Sequence, residues 1–162
     1  MTVGISVPLP AYTFDPAIIT KKAEDLGFDS IWYAEHPAVP VKSVSPFPAT
    51  GGEIPWTYSH FSDPYIALAR ASAVTSTIKL ATGITLVPER NPLLLAKEIS
   101  VLDLHSGGRF IFGIGTGWLK EETELMGGNF ARRWTQAREA LDVMKLCWTC
   151  LLYTSDAADE SS

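Results

Sequence analysis

Three helix starts set the architecture of this chain. Asp15-Pro16, Asp63-Pro64 and Asn91-Pro92 each place a short acceptor side chain immediately before proline, and an apolar stripe follows each time. Asp or Asn at the N-cap accepts from otherwise unpaired amides. Proline suits the next position because its missing N–H and fixed φ cost nothing there. Each start is preceded by a run that is apolar almost throughout: Val3–Leu9, Asp29–Ala34 and Ile78–Val87. A fourth such run, Arg109–Gly115, leads towards a helix expected from about Arg132 to Trp148, with Trp134, Ala137, Leu141, Met144 and Cys147 inward. The first helix should bury Ile18, Ile19, Ala23 and Leu26 and stop at Gly27 in the left-handed region. The order is β-α-β-α-β-α-β-α. Strands apolar on both faces and joined by helices imply a parallel sheet with right-handed crossovers. Two closures satisfy this: a doubly wound sheet, or part of a (β/α)8 barrel, which takes roughly 250 residues when complete.

Composition narrows the function classes. Apolar residues make up 46% of the 162, enough for a packed core, and the formal net charge is −5. Three acids (Asp156, Asp159, Glu160) fall in residues 150–162, where no Lys or Arg stands, so the remainder carries only −2. Nothing here attracts nucleic acid or an anionic membrane. No apolar run reaches the roughly 18–20 residues of a membrane span. The opening MTVGISVPLP lacks a basic segment followed by a long apolar one, so no signal peptide is expected and the cytoplasm is the expected location.

The candidate chemistry sits where strands end, which is where both parallel architectures bind ligands. Glu35-His36 follows strand two. A histidine there can act as general acid or base, because its ordinary pKa is near neutrality; a loop histidine capping a backbone group explains it equally. Glu35 and His36 are adjacent and make a poor metal pair. The stretch 35–62 is a long, proline-rich loop without clear period, a length often functional. His60 in that loop and His105 at the far end of helix three read as structural. Gly83 interrupts a β-branched strand, which suggests a bulge or close backbone approach. GIGTGW (113–118) has glycine at alternate positions, letting backbone approach a planar or phosphorylated ligand. It is not the dinucleotide fingerprint, since Trp118 stands where the third glycine would be; a tight turn explains it as well. Cys147-x-x-Cys150 lies at the end of a helix, whereas a thioredoxin-like site needs a helix start.

Taken together, AEDLGFDSIWYAEH and DPYIALARASAVTSTIKLATGITLVPERNPLLLAKEISVLDLHSGGRFIFGIGTGWLKEE resemble the bacterial luciferase-like monooxygenase superfamily, and within it the F420-dependent oxidoreductase branch. The resemblance covers about residues 3–149. It implies a TIM barrel with an insertion after strand three and the flavin or deazaflavin at the carboxyl ends of the strands. The fold expected is therefore α/β, the N-terminal half, (βα)4, of a TIM (β/α)8 barrel, with an extended loop after strand two. By the resemblance, His36 is the catalytic group beside the redox ring, and Glu35 helps shape its pocket. Gly83-Ile84 matches the place of a non-prolyl cis peptide behind the ring, and Gly115, Thr116 and Gly117 line the ring's edge. The implied activity of the parent protein is F420-dependent hydride transfer with a small organic substrate; the alternative is an FMN-dependent monooxygenase. The parent is expected to be a homo-oligomer and to need no metal. Some sugar-phosphate-oxidising members carry an acid directly after Gly-Thr-Gly, where this chain has Trp118. That argues against the sugar-phosphate subgroup and leaves His36 without an identified partner.

Residues 150–162 read differently. The string CLLYTSDAADE resembles the translation of a transposase sequencing adapter, has no turn signal and no period, and is expected to be a non-native tail. On this reading the domain occupies 1–149 and Cys150 belongs to no redox site. The 162 residues would lack the phosphate-holding half and be inactive alone. A reading from another class follows: a non-catalytic, self-associating fragment with unpaired sheet edges.

Overall fold

The structure is a computed structural model that describes residues 2–8 and 11–149. The expected tail at 150–162, with Cys150, lies outside the described residues. The elements in chain order are β1 (Gly4–Val7), α1 (Pro16–Asp25), β2 (Ser30–Tyr33), α2 (Pro64–Ser72), β3 (Lys79–Thr82) and β4 (Thr85–Leu86). They are followed by α3 (Pro92–Ser106), β5 (Phe110–Ile111), β6 (Ile114–Gly115), α4 (Lys120–Leu125) and α5 (Arg133–Trp148). Short 3-10 turns cover Trp56–His60, Val87–Glu89 and Phe130–Arg132.

All three Asx-Pro starts cap their helices. Asp15 accepts from the Ala17 amide at 2.9 Å, and Asp63 from Tyr65 and Ile66 at 2.9 and 3.0 Å. Asn91 accepts from Leu93 and Leu94 at 3.0 and 3.2 Å. Gly27 and Gly107 take φ of 81° and 71° at the ends of α1 and α3, the left-handed region that glycine enters at no steric cost.

The strands are parallel and ordered β1-β2-β3-β5, with β4 pairing β6 beyond them. This order decides between the two closures. A doubly wound sheet reverses direction beside its first strand, which then lies inside the sheet. Here β1 is at an edge and each strand pairs the next, as in a barrel wall. The helices follow suit, α1 packing on α2, α2 on α3 and α3 on α5. The core lies between strands and helices: Ile31, Tyr33 and Leu80 meet Leu68, Leu95, Ile99 and Met144. The alternate positions Ser6, Ser30 and Trp32 take the opposite face, in register across β1 and β2. The chain thus forms four βα units of a TIM-barrel wall.

Several expectations are corrected. Strand three is not continuous: it breaks at Gly83-Ile84, whose peptide is cis. Strand four breaks at Phe112-Gly113, where a side chain on Gly113 would meet the Thr82 carbonyl oxygen at 2.0 Å. No insertion follows strand three, since only residues 87–91 join β4 to α3; the long excursion is the one after β2. On α1, Ile18 and Leu26 are exposed, while Thr20 is fully buried because its hydroxyl meets the Tyr33 hydroxyl at 2.8 Å. On α5, Ala137 and Met144 are buried and Leu141 and Cys147 pack on the core, but Trp134 is 70% exposed. A short helix, α4, stands between the fourth apolar run and the last expected helix, where none was expected. Among the described residues, no helix is long and apolar enough to cross a membrane.

Candidate active site

Every residue singled out for the site borders one open cavity of about 680 Å³ at the carboxyl ends of the strands. Glu35 and His36 enter it from the end of β2. Gly83 and Ile84 come from the break between β3 and β4, and Gly115, Thr116 and Gly117 from the end of β6. Ser6, Tyr58, Phe61, Trp118 and the displaced Trp134 complete much of its border. A ligand cavity of this size falls in the common range of roughly 300–1,000 Å³.

The Gly-Ile-Gly-Thr-Gly turn is shaped by contact. A Cβ on Gly115 would lie 1.7 Å from Ile84 Cδ1, and Gly117 has φ of 78° with Glu89 Oε1 3.0 Å from its Cβ position. These glycines therefore let the turn lie flush against the β3–β4 break and against a buried carboxylate.

His36 faces a buried carboxylate. Its Nδ1 is 2.6 Å from Glu122 Oε2, and the two side chains are 8% and 1% exposed. The second oxygen of Glu122 accepts from the Ala38 amide at 3.1 Å. Around the imidazole stand Tyr58 at 5.0 Å and Phe61 and Trp118 at 5.9 Å between ring centres. The partner missing from the sequence reading is thus Glu122, one helical turn beyond Trp118. The neighbouring Glu121 accepts from the Val44 and Ser45 amides at 2.8 and 3.1 Å. Hydrogen bonding from the Ser45 side chain and these amides holds its carboxyl down to about 2. Two adjacent acids on α4 therefore tether the β2–α2 loop at two places.

Glu35 faces elsewhere than His36, as alternation along an extended segment requires. Its Oε2 accepts from the Leu86 amide at 2.7 Å and its Oε1 from Arg90 Nε at 2.6 Å. Arg90 also donates to Asp63 at 2.6 Å and lies 4.7 Å from the Tyr65 ring centre. Burial pushes the Glu35 carboxyl up, and Arg90 opposes the shift. A carboxylate this buried persists through such pairing. Glu35 shapes the pocket indirectly, by anchoring β4. Behind Gly117 lies Glu89, 4% exposed, which accepts from Thr123 Oγ1 at 2.8 Å. Desolvation, with the charge of Glu122 adding to it, pushes Glu89 up to about 8. Sequence reasoning missed Arg90, Glu89 and Glu122. None of them stands in a local motif, and Glu122 is 86 positions from the histidine it meets.

His60 sits in the 3-10 turn and packs edge-on to Tyr12 at 5.2 Å, while His105 falls in the last turn of α3. Neither borders the cavity.

The sequence pattern of luciferase-like monooxygenases matches residues 17–157. The chain belongs to the luciferase-like monooxygenase family. Within this family it is 41% identical over 136 residues to the uncharacterized protein Rv0953c of Mycobacterium tuberculosis, an alignment covering 83% of this chain and 48% of that protein. The chain spans about half the length of the curated relatives it matches first. Among solved structures, it is 32% identical to the coenzyme F420-dependent tetrahydromethanopterin reductase of Methanopyrus kandleri. That likeness covers 78% of this chain and 30% of that one, with a TM-score of 0.56. The oxygenating constituent of 3,6-diketocamphane monooxygenase from Pseudomonas putida, in complex with FMN, shares the fold at 23% identity. Its TM-score is 0.72, and 91% of this chain and 39% of that one are covered. This luciferase-like chain is therefore a partial barrel, and its family includes oxidoreductases and monooxygenases.

Proposed function

We propose that this luciferase-like chain carries the ring-binding half of an F420-dependent oxidoreductase that transfers a hydride to or from a small organic substrate. The observation that supports this most directly is the convergence of His36, the Gly83-Ile84 break and the Gly115-Thr116-Gly117 turn on one cavity. The identity shared with an F420-dependent reductase favours the deazaflavin.

The residues present fit the ring of such a cofactor. Ile84 and Ile114, 40% and 43% exposed, give an apolar surface at the cavity, and the adjoining glycines leave backbone free to approach a planar group. No Lys or Arg borders the cavity among the described residues, so nothing there grips a phosphate. Phosphate sites in such barrels come from the loops after strands seven and eight. When bound, the deazaflavin would supply the hydride chemistry. This chain's part is to position the ring and to hold or take up a proton at His36, around which Tyr58, Phe61 and Trp118 pack. We also propose that the active protein is a homo-oligomer working on a small molecule without nucleic acid or membrane, and that these 162 residues do not turn over substrate alone.

Spectral titration of F420 and of FMN against the protein extended to the length of its relatives tests the proposal. F420 is expected to bind the more tightly. Preference for FMN would move the protein to the monooxygenase reading, and binding of neither would sink both.

A further inference from the structure

The imidazole of His36 is held on one side only. Nδ1 meets Glu122, while Nε2 has no hydrogen-bond partner among the described residues, and the ring borders the cavity. A carboxylate accepts and does not donate, so a short contact to Nδ1 favours the proton on that nitrogen and leaves the Nε2 lone pair free. An unconstrained imidazole can place its proton on either nitrogen. At 1% exposure, the Glu122 side chain has little water competing for its oxygens. Its second oxygen is committed to the amide of Ala38, two residues after the histidine. Glu122 therefore fixes both the ring and the backbone that carries it. α4 begins three residues after Gly117, so the glycine edge and the group that orients His36 belong to one segment, 115–125.

We propose that Glu122 is the positioning residue of His36: it holds the neutral imidazole in its Nδ1–H form and makes Nε2 the atom that exchanges the proton. This rests on reading His36 as the proton-handling group. A substrate oxidised by loss of a hydride to the bound cofactor would also release one proton, and Nε2 would accept it. Reduction runs the other way, and Nε2–H returns the proton to substrate. In both directions Glu122 stays against Nδ1 and holds the ring in place.

Nitrogen-15 NMR of the histidine-labelled 162-residue chain decides the matter, with His36→Gln assigning the signals. In the neutral wild type, Nδ1 is expected to carry the proton and Nε2 to show the shift of an unprotonated ring nitrogen. Glu122→Leu should return the ring to the Nε2–H form and speed exchange of the Ala38 amide at least tenfold. Glu122→Gln, whose amide oxygen can still accept, should retain part of the Nδ1–H form. A wild-type ring protonated on Nε2 would overturn the proposal. So would a folded Glu122→Leu chain that keeps Nδ1–H. If Glu122→Leu fails to fold, the wild-type tautomer alone still decides. The sample contains no cofactor, so failure of F420 or FMN binding, which would sink the functional reading, is scored separately.

Discussion

At the scale of single residues, the site is a set of buried carboxylates with different neighbours. Glu35 has a guanidinium and an amide, Glu122 has an imidazole and an amide, and Glu89 has only the Thr123 hydroxyl. The Oε2 of Glu89 is buried with no partner. A bare anionic oxygen there would be costly, which is the physical reason this carboxyl holds its proton. Its folded value of about 8 stands above an unfolded value of 4.5. Between those values the folded chain binds a proton that the unfolded chain has lost. Stability from this group is therefore complete below about pH 4.5, falls as pH rises, and levels off above about pH 8. Glu89→Gln removes the titration. Its stability relative to wild type should rise between pH 5 and pH 8.5, by a few kcal/mol at most, at about 1.4 kcal/mol per unit of pKa difference. Urea midpoints at the two pH values measure this. Equal pH dependence in both proteins would show that Glu89 is ionised when folded.

At the scale of elements, the long helices were legible and the strand ends were not. Asp15, Asp63 and Asn91 announce α1, α2 and α3 because capping is a local interaction, complete within three residues. The breaks at Gly83-Ile84 and Phe112-Gly113 depend instead on what two neighbouring strands do to each other. Thr82 Oγ1 both donates to the Gly113 carbonyl at 2.8 Å and accepts from the Gly113 amide at 3.1 Å. This exchange occupies the place of regular pairing. α4 was illegible because it is six residues long and has no side-chain cap. The same cross-strand contacts rank two substitutions. At Gly113 a methyl group would strike a backbone carbonyl oxygen 2.0 Å away, which cannot yield without moving β3. At Gly115 the obstacle 1.7 Å away is the end of the Ile84 side chain, which can rotate. Gly113→Ala is thus expected to destabilise by on the order of 3 kcal/mol, the upper part of the overpacking range, and Gly115→Ala by less. Thermal denaturation of the two variants compares them, and the reverse order would contradict this account of the turn.

At the scale of the whole molecule, the order of elements pointed to a parallel α/β wall, and pairing between distant residues settled which one. The sequence shows that β1 and β5 exist. That β1 ends at an edge follows only from register, Gly4 against Ser30 and Ile5 against Ile31, with nothing on its other side among the described residues. Burial follows the same gradient. The inner strand β2 is mostly buried, β1 alternates between exposed and half-buried, and both residues of β5 are half-buried. Open parallel edges present unpaired amides and carbonyls, and such edges associate unless covered or charged. β1, GISV, has neither charge nor proline to deter pairing. The 162-residue chain is accordingly expected to self-associate. Size-exclusion chromatography with light scattering, run over a hundredfold range of concentration, should show mass rising with concentration. Introducing lysine at Ser6, on the face away from the helices, should lower that mass without loss of helical signal. A chain that stays monomeric throughout would mean that its edges are protected by residues beyond those described, and that the wall of four βα units is a stable body by itself.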